Sequence, residues 1–265
     1  MSIALTIAGS DSGGGAGIQA DLKTFSALGV YGASVVTAIT AQNTVGVTAV
    51  HEVPVDVVSA QMDAVLSDFD VGAAKTGMLF SAEIIEAVSR KIRKWDVRKL
   101  VVDSVMVAKS GDRLLREDAI DSLRTCLLPL ALVVTPNIPE AEVLAGMPIP
   151  DEAAREEAAR RIGEMGPQWV VIKGGHLEGD PIDLVWDGEE MQRLSGERIE
   201  STSTHGTGCT FSAAIAANLT NSTDVRRAIR EAKDYLTGAI RHAEGLGHGH
   251  GPLNHHYRLA VHIAS

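Results

Sequence analysis

The stretch around Cys209 contains the residue types of an anion-binding turn. Gly206 and Gly208 allow a tight backbone turn with exposed N–H groups, and a nearly all-apolar run follows at 210–219. The first N–H groups of a helix have no acceptor within the helix, and the helix dipole places positive charge at the same end. Such turns most often bind phosphate. The same residues are also consistent with a structural turn around a small buried cysteine.

Polar side chains recur where the hydrophobic pattern predicts that buried strands end. These residues are Asp11, Gln42, Asp103, Asn137 with Glu140, and Lys173. Ligand sites of open α/β sheets lie beyond the carboxyl ends of the strands, so these loops are expected to meet the turn at Cys209 along one edge. Their convergence predicts a phosphate-handling site more strongly than any single motif does.

Each of these residues also has a structural interpretation. Asp103 is either a turn aspartate or, beside a phosphate site, part of a metal shell. Asn137 and Glu140 either cap a helix or hold waters around Mg²⁺, which binds few carboxylates directly. Lys173 precedes two glycines, which favours a phosphate ligand over a solvated charge at the end of a strand.

The histidines do not predict a metal site. His176 and His205 have no partner at zinc-like spacing, so a structural or hydrogen-bonding role is expected for both. The tail histidines include His248 and His250 with a glycine between them, and loop packing is favoured there over a metal-binding tract.

Alternating strand and helix patterns predict how these residues are positioned. Strands are predicted at 3–8, 34–41, 71–75, 100–103, 132–135 and 169–173, with a hairpin at 182–186 and 191–194 and an edge segment at 45–53. Helices are predicted at 16–28, 55–66, 81–95, 119–128, 140–144, 151–165 and 225–243, and after the turn at Cys209. This alternation predicts an α/β fold with a mostly parallel central sheet covered on both faces, in a single domain over residues 1–265.

Composition and charge argue against several classes of function. The 265 residues carry a net charge of −10, so general nucleic-acid binding is not expected. Two cysteines, Cys126 and Cys209, do not suggest a disulfide framework and suit a reducing cytoplasm. The N-terminus lacks a signal-peptide pattern and no window approaches ~18 uninterrupted apolar residues, so neither secretion nor membrane insertion is expected.

Six segments carry a family resemblance in collinear order. They are 4–21 (ALTIAGSDSGGGAGIQAD), 37–44 (TAITAQNT), 105–112 (VMVAKSGD), 135–141 (TPNIPEA), 173–176 (KGGH) and 204–210 (THGTGCT). Together they resemble the hydroxymethylpyrimidine/phosphomethylpyrimidine kinases of thiamin biosynthesis, a branch of the ribokinase-like superfamily. The resemblance runs from Ile3 to His255. It implies a three-layer αβα ribokinase-like fold and a homodimer.

The resemblance implies two successive phosphorylations that use ATP and Mg²⁺. The first acts on the hydroxymethyl group of 4-amino-5-hydroxymethyl-2-methylpyrimidine, and the second acts on the resulting monophosphate. Pyridoxal or pyridoxine, which are also flat hydroxymethyl heterocycles, are the alternative substrates. A non-catalytic nucleotide-binding protein is a third hypothesis. Ser104 and Ser203 stand where the family commonly has Pro and Asn, which leaves the affinity for ATP open.

The resemblance also implies roles for individual residues. Cys209 would be the catalytic residue, where ribokinase-like relatives usually carry Asp, and the helix N-terminus is expected to lower the pKa of its thiol. Gly206 and Gly208 would hold the migrating phosphoryl oxygens as an anion hole. Gln42 would contact the aminopyrimidine, whose donor and acceptor edge complements an amide. The remaining assignments are Gly9, Ala16, Met78 and Val105 to the substrate pocket, Lys173, Asn137, Thr207 and His205 to ATP and its phosphates, and Asp103 and Glu140 to the metal. The resemblance identifies no residue for the substrate monophosphate, and Lys109, in a glycine-containing loop, is the one candidate that the sequence offers.

Overall fold

The computed structural model describes residues 1–106, 114–116, 118–174 and 181–259. Its strands are β1 (Ile3–Asp11), β2 (Tyr31–Gln42), β3 (Val47–Glu52), β4 (Ala73–Thr76), β5 (Leu100–Val102), β6 (Val133–Val134), β7 (Trp169–Ile172), β8 (Asp183–Trp186) and β9 (Met191–Leu194). In the described residues these nine strands form one sheet, in the order β3-β2-β1-β4-β5-β6-β7-β8-β9. The six strands from β2 to β7 in that order are parallel, whereas β3 and β8 pair antiparallel with their neighbours.

Local capping signals begin and end several of the helices. The helices are α1 (Gly17–Ala27), α2 (Val55–Leu66), α3 (Ala82–Lys94), α4 (Ala119–Ser122), α5 (Ile138–Ala145), α6 (Glu152–Gly163), α7 (Thr207–Leu219) and α8 (Val225–Arg241). The side chains of Ser81, Asp151 and Asp224 accept backbone N–H bonds at the start of α3, α6 and α8. Gly146 ends α5 in the left-handed conformation, which glycine adopts without steric cost.

Apolar side chains on the two faces of the sheet form two separate cores. Leu5 of β1 and Val102 of β5 pack in one core with α2, α3, α5 and α6. Ala4 of β1 and Val101 of β5 face the other core, which contains α7 and α8. Because neighbouring strand residues point to opposite faces, each central strand is buried on both sides. The expected fold class, an α/β fold with a mostly parallel sheet between two helical layers, is confirmed.

The predicted helix at 119–128 is less regular than expected. α4 ends at Ser122, and the chain continues through a π turn at Leu123–Leu127 and a 3₁₀ turn at Leu128–Leu130. Pro129 has no backbone N–H, so an α-helix could not continue through it with its hydrogen bonds intact. Among the described residues, no helix has the length and apolar character needed to span a membrane.

Candidate active site

A cavity of about 690 Å³ lies at the carboxyl edge of the parallel strands, against the N-terminus of α7. Twelve of the residues assigned from the sequence line it: Ala16, Gln42, Asp103, Val105, Asn137, Glu140, Lys173, His205, Gly206, Thr207, Gly208 and Cys209. The expected convergence of the strand-end loops on one edge is therefore observed.

The turn before α7 is held in place by close backbone packing. Gly206 has φ of 81°, and a Cβ atom there would overlap the carbonyl oxygen of Gly15 in the loop after β1. No side chain caps α7 at its N-terminus. The N–H groups of its first turn therefore remain available at the cavity, as an anion site requires.

An ion pair between Asp103 and Lys173 lies beside this turn. Lys173 Nζ donates to Asp103 Oδ1 at 3.2 Å, and the Ser212 hydroxyl on α7 donates to Asp103 Oδ2 at 3.3 Å. The pair is close to Gly208, since a Cβ there would lie 3.4 Å from Lys173 Nζ. Burial opposes the charge of Lys173, but Asp103 and Glu140 outweigh it and raise the pKa of the lysine. Lys173 therefore stays a cation beside the first turn of α7.

Asn137 and Glu140 form a reciprocal cap on α5. The Asn137 side chain accepts from the Glu140 N–H at 2.9 Å, and Glu140 Oε2 accepts from the Asn137 N–H at 2.9 Å. The Ser104 hydroxyl donates to the same Glu140 oxygen at 3.3 Å, so this departure from the family pattern adds a hydrogen-bond donor. Burial raises the pKa of Glu140, with the Asp103 charge adding to the effect and Lys173 opposing it.

Asp11 organises the glycine-rich loop that follows β1. Its carboxylate accepts from the amides of Gly13, Gly15 and Ala16 at 2.8, 3.0 and 2.8 Å. It also contacts His205 Nε2 at 2.9 Å. Burial alone would raise the pKa of Asp11, but the hydrogen bonds from His205, Ala16 and Gly13 lower it. The glycine-rich loop is thus closed around an ionised carboxylate.

His205 lies on the same side of the cavity as Gln42. Gln42 Nε2 is 3.4 Å from His205 Nε2, and Gln42 Oε1 accepts from the Thr40 hydroxyl at 3.1 Å. The structure thus brings together His205 and Gln42, which the sequence assigned to ATP and to the substrate respectively. The long-range contact with Asp11 agrees with the expected hydrogen-bonding role of His205.

Gly9 and Met78 lie behind the cavity wall and are not among the residues that line it. A Cβ on Gly9 would lie 3.1 Å from Met78 Sδ, so the two residues are packed together. Met78 is buried with Ala38 and Leu114, and Val105 packs against this small cluster. The assignment of Gly9 and Met78 to the pocket lining is therefore not met, and the two residues instead pack behind Val105, which does line the cavity.

The expectation of a lowered pKa for the Cys209 thiol is wrong. Burial raises the pKa of Cys209 to about 11, while Lys75 lowers it and Asp21 and Asp103 raise it further. The thiol also accepts a hydrogen bond from the Gly17 backbone N–H. Burial outweighs the Lys75 charge and the Gly17 hydrogen bond, so Cys209 is a neutral thiol at neutral pH.

Sequence reasoning missed two buried ion pairs near the cavity. Lys75 of β4 pairs with Asp21 of α1 at 2.9 Å, and Lys233 of α8 pairs with Asp183 of β8 at 2.7 Å. The first of these pairs had a signal in the sequence. Lys75 interrupts the apolar strand pattern, and Asp21 lies on the same helix face as the apolar Ile18.

The remaining histidine predictions have mixed outcomes. The backbone N–H groups of His248 and His250 bond to Thr44, which confirms loop packing for this part of the tail. Lys109 and His176 lie outside the described residues.

Comparison with known proteins gives one consistent family. A family model described as phosphomethylpyrimidine kinase matches residues 11–254. The hydroxymethylpyrimidine/phosphomethylpyrimidine kinase of Rhizobium meliloti is 56% identical over 260 residues, which cover 97% of this chain and 97% of that protein. The thiamine biosynthesis bifunctional protein ThiED of Geobacter sulfurreducens is 56% identical over 252 residues. That match covers 95% of this chain and 51% of the longer protein, so the chain spans about half the length of this relative.

Solved structures agree with this result. An ADP complex of Bacillus subtilis pyridoxal kinase superposes with a TM-score of 0.91 at 41% identity, covering 98% of this chain and 99% of that chain. The phosphomethylpyrimidine kinase of Clostridium difficile superposes with a TM-score of 0.81 at 43% identity, covering 91% of this chain and 100% of that chain. The resemblance stated from the sequence is therefore confirmed at the level of family and fold.

Proposed function

The chain belongs to the phosphomethylpyrimidine kinase family, and we propose that it uses ATP to phosphorylate 4-amino-5-hydroxymethyl-2-methylpyrimidine and then its monophosphate. The product would be the diphosphate used in thiamin biosynthesis. One observation carries the proposal: Cys209, the uncapped N-terminus of α7 and the Lys173–Asp103 pair line the same cavity. Phosphoryl transfer depends mainly on positioning and on stabilising negative charge, and this arrangement offers both.

The phosphate end of the cavity would bind the transferring group. The amides of the first turn of α7, with Gly206 and Gly208 keeping the turn open, would donate to its oxygens. Lys173 would neutralise part of the phosphate charge, because its pKa is raised and it stays protonated. Thr207 and Asn137, which also line the cavity, would add further donors.

The opposite end of the cavity would hold the flat ring. Gln42 would pair its amide with the aminopyrimidine edge, and Ala16 leaves room beside it. Val105, backed by Met78 and Gly9, would cover one face of the ring. This arrangement would aim the hydroxymethyl group towards Cys209.

Asp103 and Glu140 supply the oxygen ligands that Mg²⁺ prefers. The described part of the chain contains no group of three or more His, Cys, Asp or Glu side chains that would hold a metal by protein ligands alone. Magnesium in phosphoryl-transfer sites usually keeps several waters and uses one or two carboxylates together with substrate phosphates, so the two carboxylates fit it. When bound, the ion would neutralise charge on the phosphates.

Cys209 would accept the proton of the substrate hydroxyl. As the hydroxymethyl oxygen bonds to the γ-phosphorus, the bond from phosphorus to the ADP oxygen breaks and the O–H proton passes to the sulfur. Only the thiolate can accept this proton, and the raised pKa makes the neutral thiol the stable form at neutral pH. A nearby positive charge that favours the thiolate would therefore assist the step.

An ADP-release assay with separate substrates tests the proposal. We expect turnover with the aminopyrimidine alcohol and with its monophosphate at millimolar ATP and Mg²⁺, and loss of turnover when EDTA replaces the metal. Pyridoxal and pyridoxine are tested as alternative substrates in the same assay. Turnover with these rings but not with the pyrimidines would replace the proposed substrate, and no turnover with any ring would overturn the kinase assignment.

We also propose that the protein is a cytoplasmic homodimer with a single domain over residues 1–265. The exposed apolar side chains of Ile39 and Val45, near the edge formed by β2 and β3, support a contact between copies. The two free cysteines support a reducing compartment, and the single sheet supports one domain. A net charge of −10 argues against nucleic acid as a partner. Light scattering coupled to size exclusion would measure the mass, and a monomer would contradict the dimer.

A further inference from the structure

The buried ion pair between Lys75 and Asp21 has no part in the chemistry described so far. Lys75 Nζ donates to Asp21 Oδ1 and Oδ2 at 3.0 and 2.9 Å, and neither side chain is exposed to solvent. The Thr6 hydroxyl donates to Asp21 Oδ2 at 2.6 Å. Burial raises the pKa of Asp21, but donors contact both of its oxygens, so we describe the pair as ionised. Such a pair usually adds little stability over a well-packed apolar pair, which favours a role other than stabilising the fold.

The ammonium group of Lys75 lies on the α1 and α7 side of the sheet, near its carboxyl edge. Lys75 pairs in register with Thr6 and Val101, and Val101 faces the core that contains α7. The side chain extends towards the end of its strand, because a Cβ on Gly77 would lie 2.9 Å from Lys75 Nζ. The absence of a side chain at Gly77 therefore gives this charge the space it occupies.

Charges from four elements act on Cys209 at the start of α7. Lys75 comes from β4, Asp21 from α1, Asp103 from the loop after β5, and Lys173 from the end of β7. Lys75 exerts the largest attraction on the thiolate, and Asp21 exerts the larger of the two carboxylate repulsions. After Asp21, Cys209 is the next group that favours the charged form of Lys75.

We propose that Lys75, held in place by Asp21, is a positioning residue for phosphoryl transfer whose charge stabilises the Cys209 thiolate at the N-terminus of α7. The inference rests on the proposed role of Cys209 in the kinase reaction. Lys75 touches no substrate, since its ammonium is fully buried against Asp21. It acts on the sulfur through the electric field of a fixed, desolvated charge, which is weakly screened in the interior.

Alkylation of Cys209 by iodoacetamide in the ligand-free protein tests the inference without using turnover. The thiolate is the reacting form, so the rate at pH 8 reports how well the protein stabilises it. We expect Lys75→Met to slow alkylation of Cys209 by roughly three- to tenfold, because the thiolate fraction falls while each thiolate becomes somewhat more nucleophilic. We expect Asp21→Asn to accelerate it by a similar factor, because the buried lysine then lacks its carboxylate partner. Peptide mass spectrometry separates Cys209 from Cys126, whose rate should not change.

The opposite changes expected in the alkylation rates of Lys75→Met and Asp21→Asn distinguish the proposal from a purely structural role of the pair. A pair that only stabilised the fold would loosen the site in both variants and expose the thiol, so both rates would rise. Rates that shift in the same direction, or do not shift, would overturn the inference. Lys233→Met is the matched control, since it breaks an equally close buried pair with Asp183 and should leave the alkylation of Cys209 unchanged.

A double variant keeps the test usable if Lys75→Met does not fold. Lys75→Met combined with Asp21→Leu replaces both charges by apolar groups, and its alkylation rate should fall below the wild-type rate because the attraction of Lys75 exceeds the repulsion of Asp21. In kinase assays this variant should lower kcat and leave the KM for ATP unchanged. If Cys209→Ala remained active while these alkylation rates shifted as expected, the proposed role of Cys209 would fail and the electrostatic coupling would stand.

Discussion

At the residue scale, opposing influences on Cys209 decide the protonation state of its thiol. Burial and the nearby carboxylates Asp21 and Asp103 favour the thiol, and Lys75 favours the thiolate. Burial prevails, and the pKa of the thiol rises to about 11. A loose transition state for phosphoryl transfer needs little general-base assistance until the bond to phosphorus has largely formed. A weakly ionised thiol is therefore compatible with the proposed chemistry, provided that the thiolate is stabilised when the proton leaves.

Replacing the thiol measures its contribution directly. We expect Cys209→Ala to lower kcat by about 10²- to 10⁴-fold, the usual range for one positioned acid–base group. Steady-state ADP release with the aminopyrimidine alcohol would measure it. Cys126→Ala is the control, because Cys126 lies in the π turn after α4 and does not line the cavity. A loss of less than tenfold would mean that positioning alone drives the transfer.

Gln42 provides a separate residue-scale test at the substrate end. We expect Gln42→Ala to reduce kcat/KM for the aminopyrimidine by at least about tenfold, because one matched pair of hydrogen bonds is worth roughly 1–3 kcal/mol. The kcat/KM for pyridoxine should change less, so discrimination between the two rings should fall. Gln192→Ala on β9 is the control and should alter neither value. Unchanged discrimination would contradict the pairing between the amide and the pyrimidine.

At the element scale, the anion site depends on two turns that fit together. The loop after β1 is closed around Asp11, and its Gly15 carbonyl occupies the space where Gly206 would carry a side chain. The start of α7 is therefore positioned by backbone contacts between distant parts of the chain. The two glycines of the turn serve different needs, since Gly206 has positive φ while Gly208 faces Asp103 and Lys173.

Adding a methyl group at Gly206 should disrupt both turns. We expect Gly206→Ala to lower the free energy of unfolding by more than about 2 kcal/mol, because a left-handed conformation without glycine is strained and the Cβ overlaps Gly15. Gly29→Ala is a matched control, since Gly29 has φ of 75° and nothing lies within 4 Å of its Cβ position. That control should cost about 1 kcal/mol. Urea unfolding would measure both, and equal losses would show that the contact with Gly15 is unimportant.

At the scale of the whole molecule, the segment after α8 returns across the helical layer and joins distant parts of the chain. The Tyr235 hydroxyl donates to the backbone oxygen of His255 at 2.7 Å, and the His255 ring contacts the Thr210 hydroxyl at 3.0 Å. Thr210 lies in the first turns of α7, so the tail also supports the helix that begins at the proposed site. Burial lowers the pKa of His255 to about 4, with Lys23 and His256 adding to the effect.

Because the pKa of His255 is lowered from 6.5 to about 4, the free energy of unfolding should depend on pH between these two values. The ordinary value is 6.5, so below that pH the unfolded chain takes up a proton that the folded protein excludes until about pH 4. The contribution of neutral His255 to the free energy of unfolding should therefore be complete above pH 6.5 and decrease as the pH drops towards 4. We expect His255→Asn to lower Tm at pH 7 and to flatten the decline in Tm between pH 7 and 5. His256→Asn, at an exposed neighbour, should keep the wild-type decline, and an equally steep decline in His255→Asn would contradict the assignment.

The order of the elements and twelve of the residues that line the cavity were predictable from sequence patterns. Local signals carried this information: Ser81 and Asp151 cap their helices, Gly146 ends another, and the alternation of strands and helices implies a sheet whose carboxyl ends share one edge. The family motifs indicated the class of reaction, because the six segments occur along this chain in the same order as in the family. The regular helix predicted at 119–128 was wrong, because the α-helix ends at Ser122 and Pro129 has no N–H to donate to the Thr125 carbonyl.

The electrostatics of the site depends on tertiary contacts that the sequence patterns do not show. The pKa of Cys209 depends on burial and on the side chains of Lys75, Asp21 and Asp103, which are distant in sequence. The contact of His205 with Asp11, 194 positions away, likewise has no local signature. Desolvation and Coulomb interactions depend on distances in space, and those distances exist only after the sheet and both helical layers have assembled. A motif can therefore place a thiol at the start of a helix, but the folded protein sets its charge.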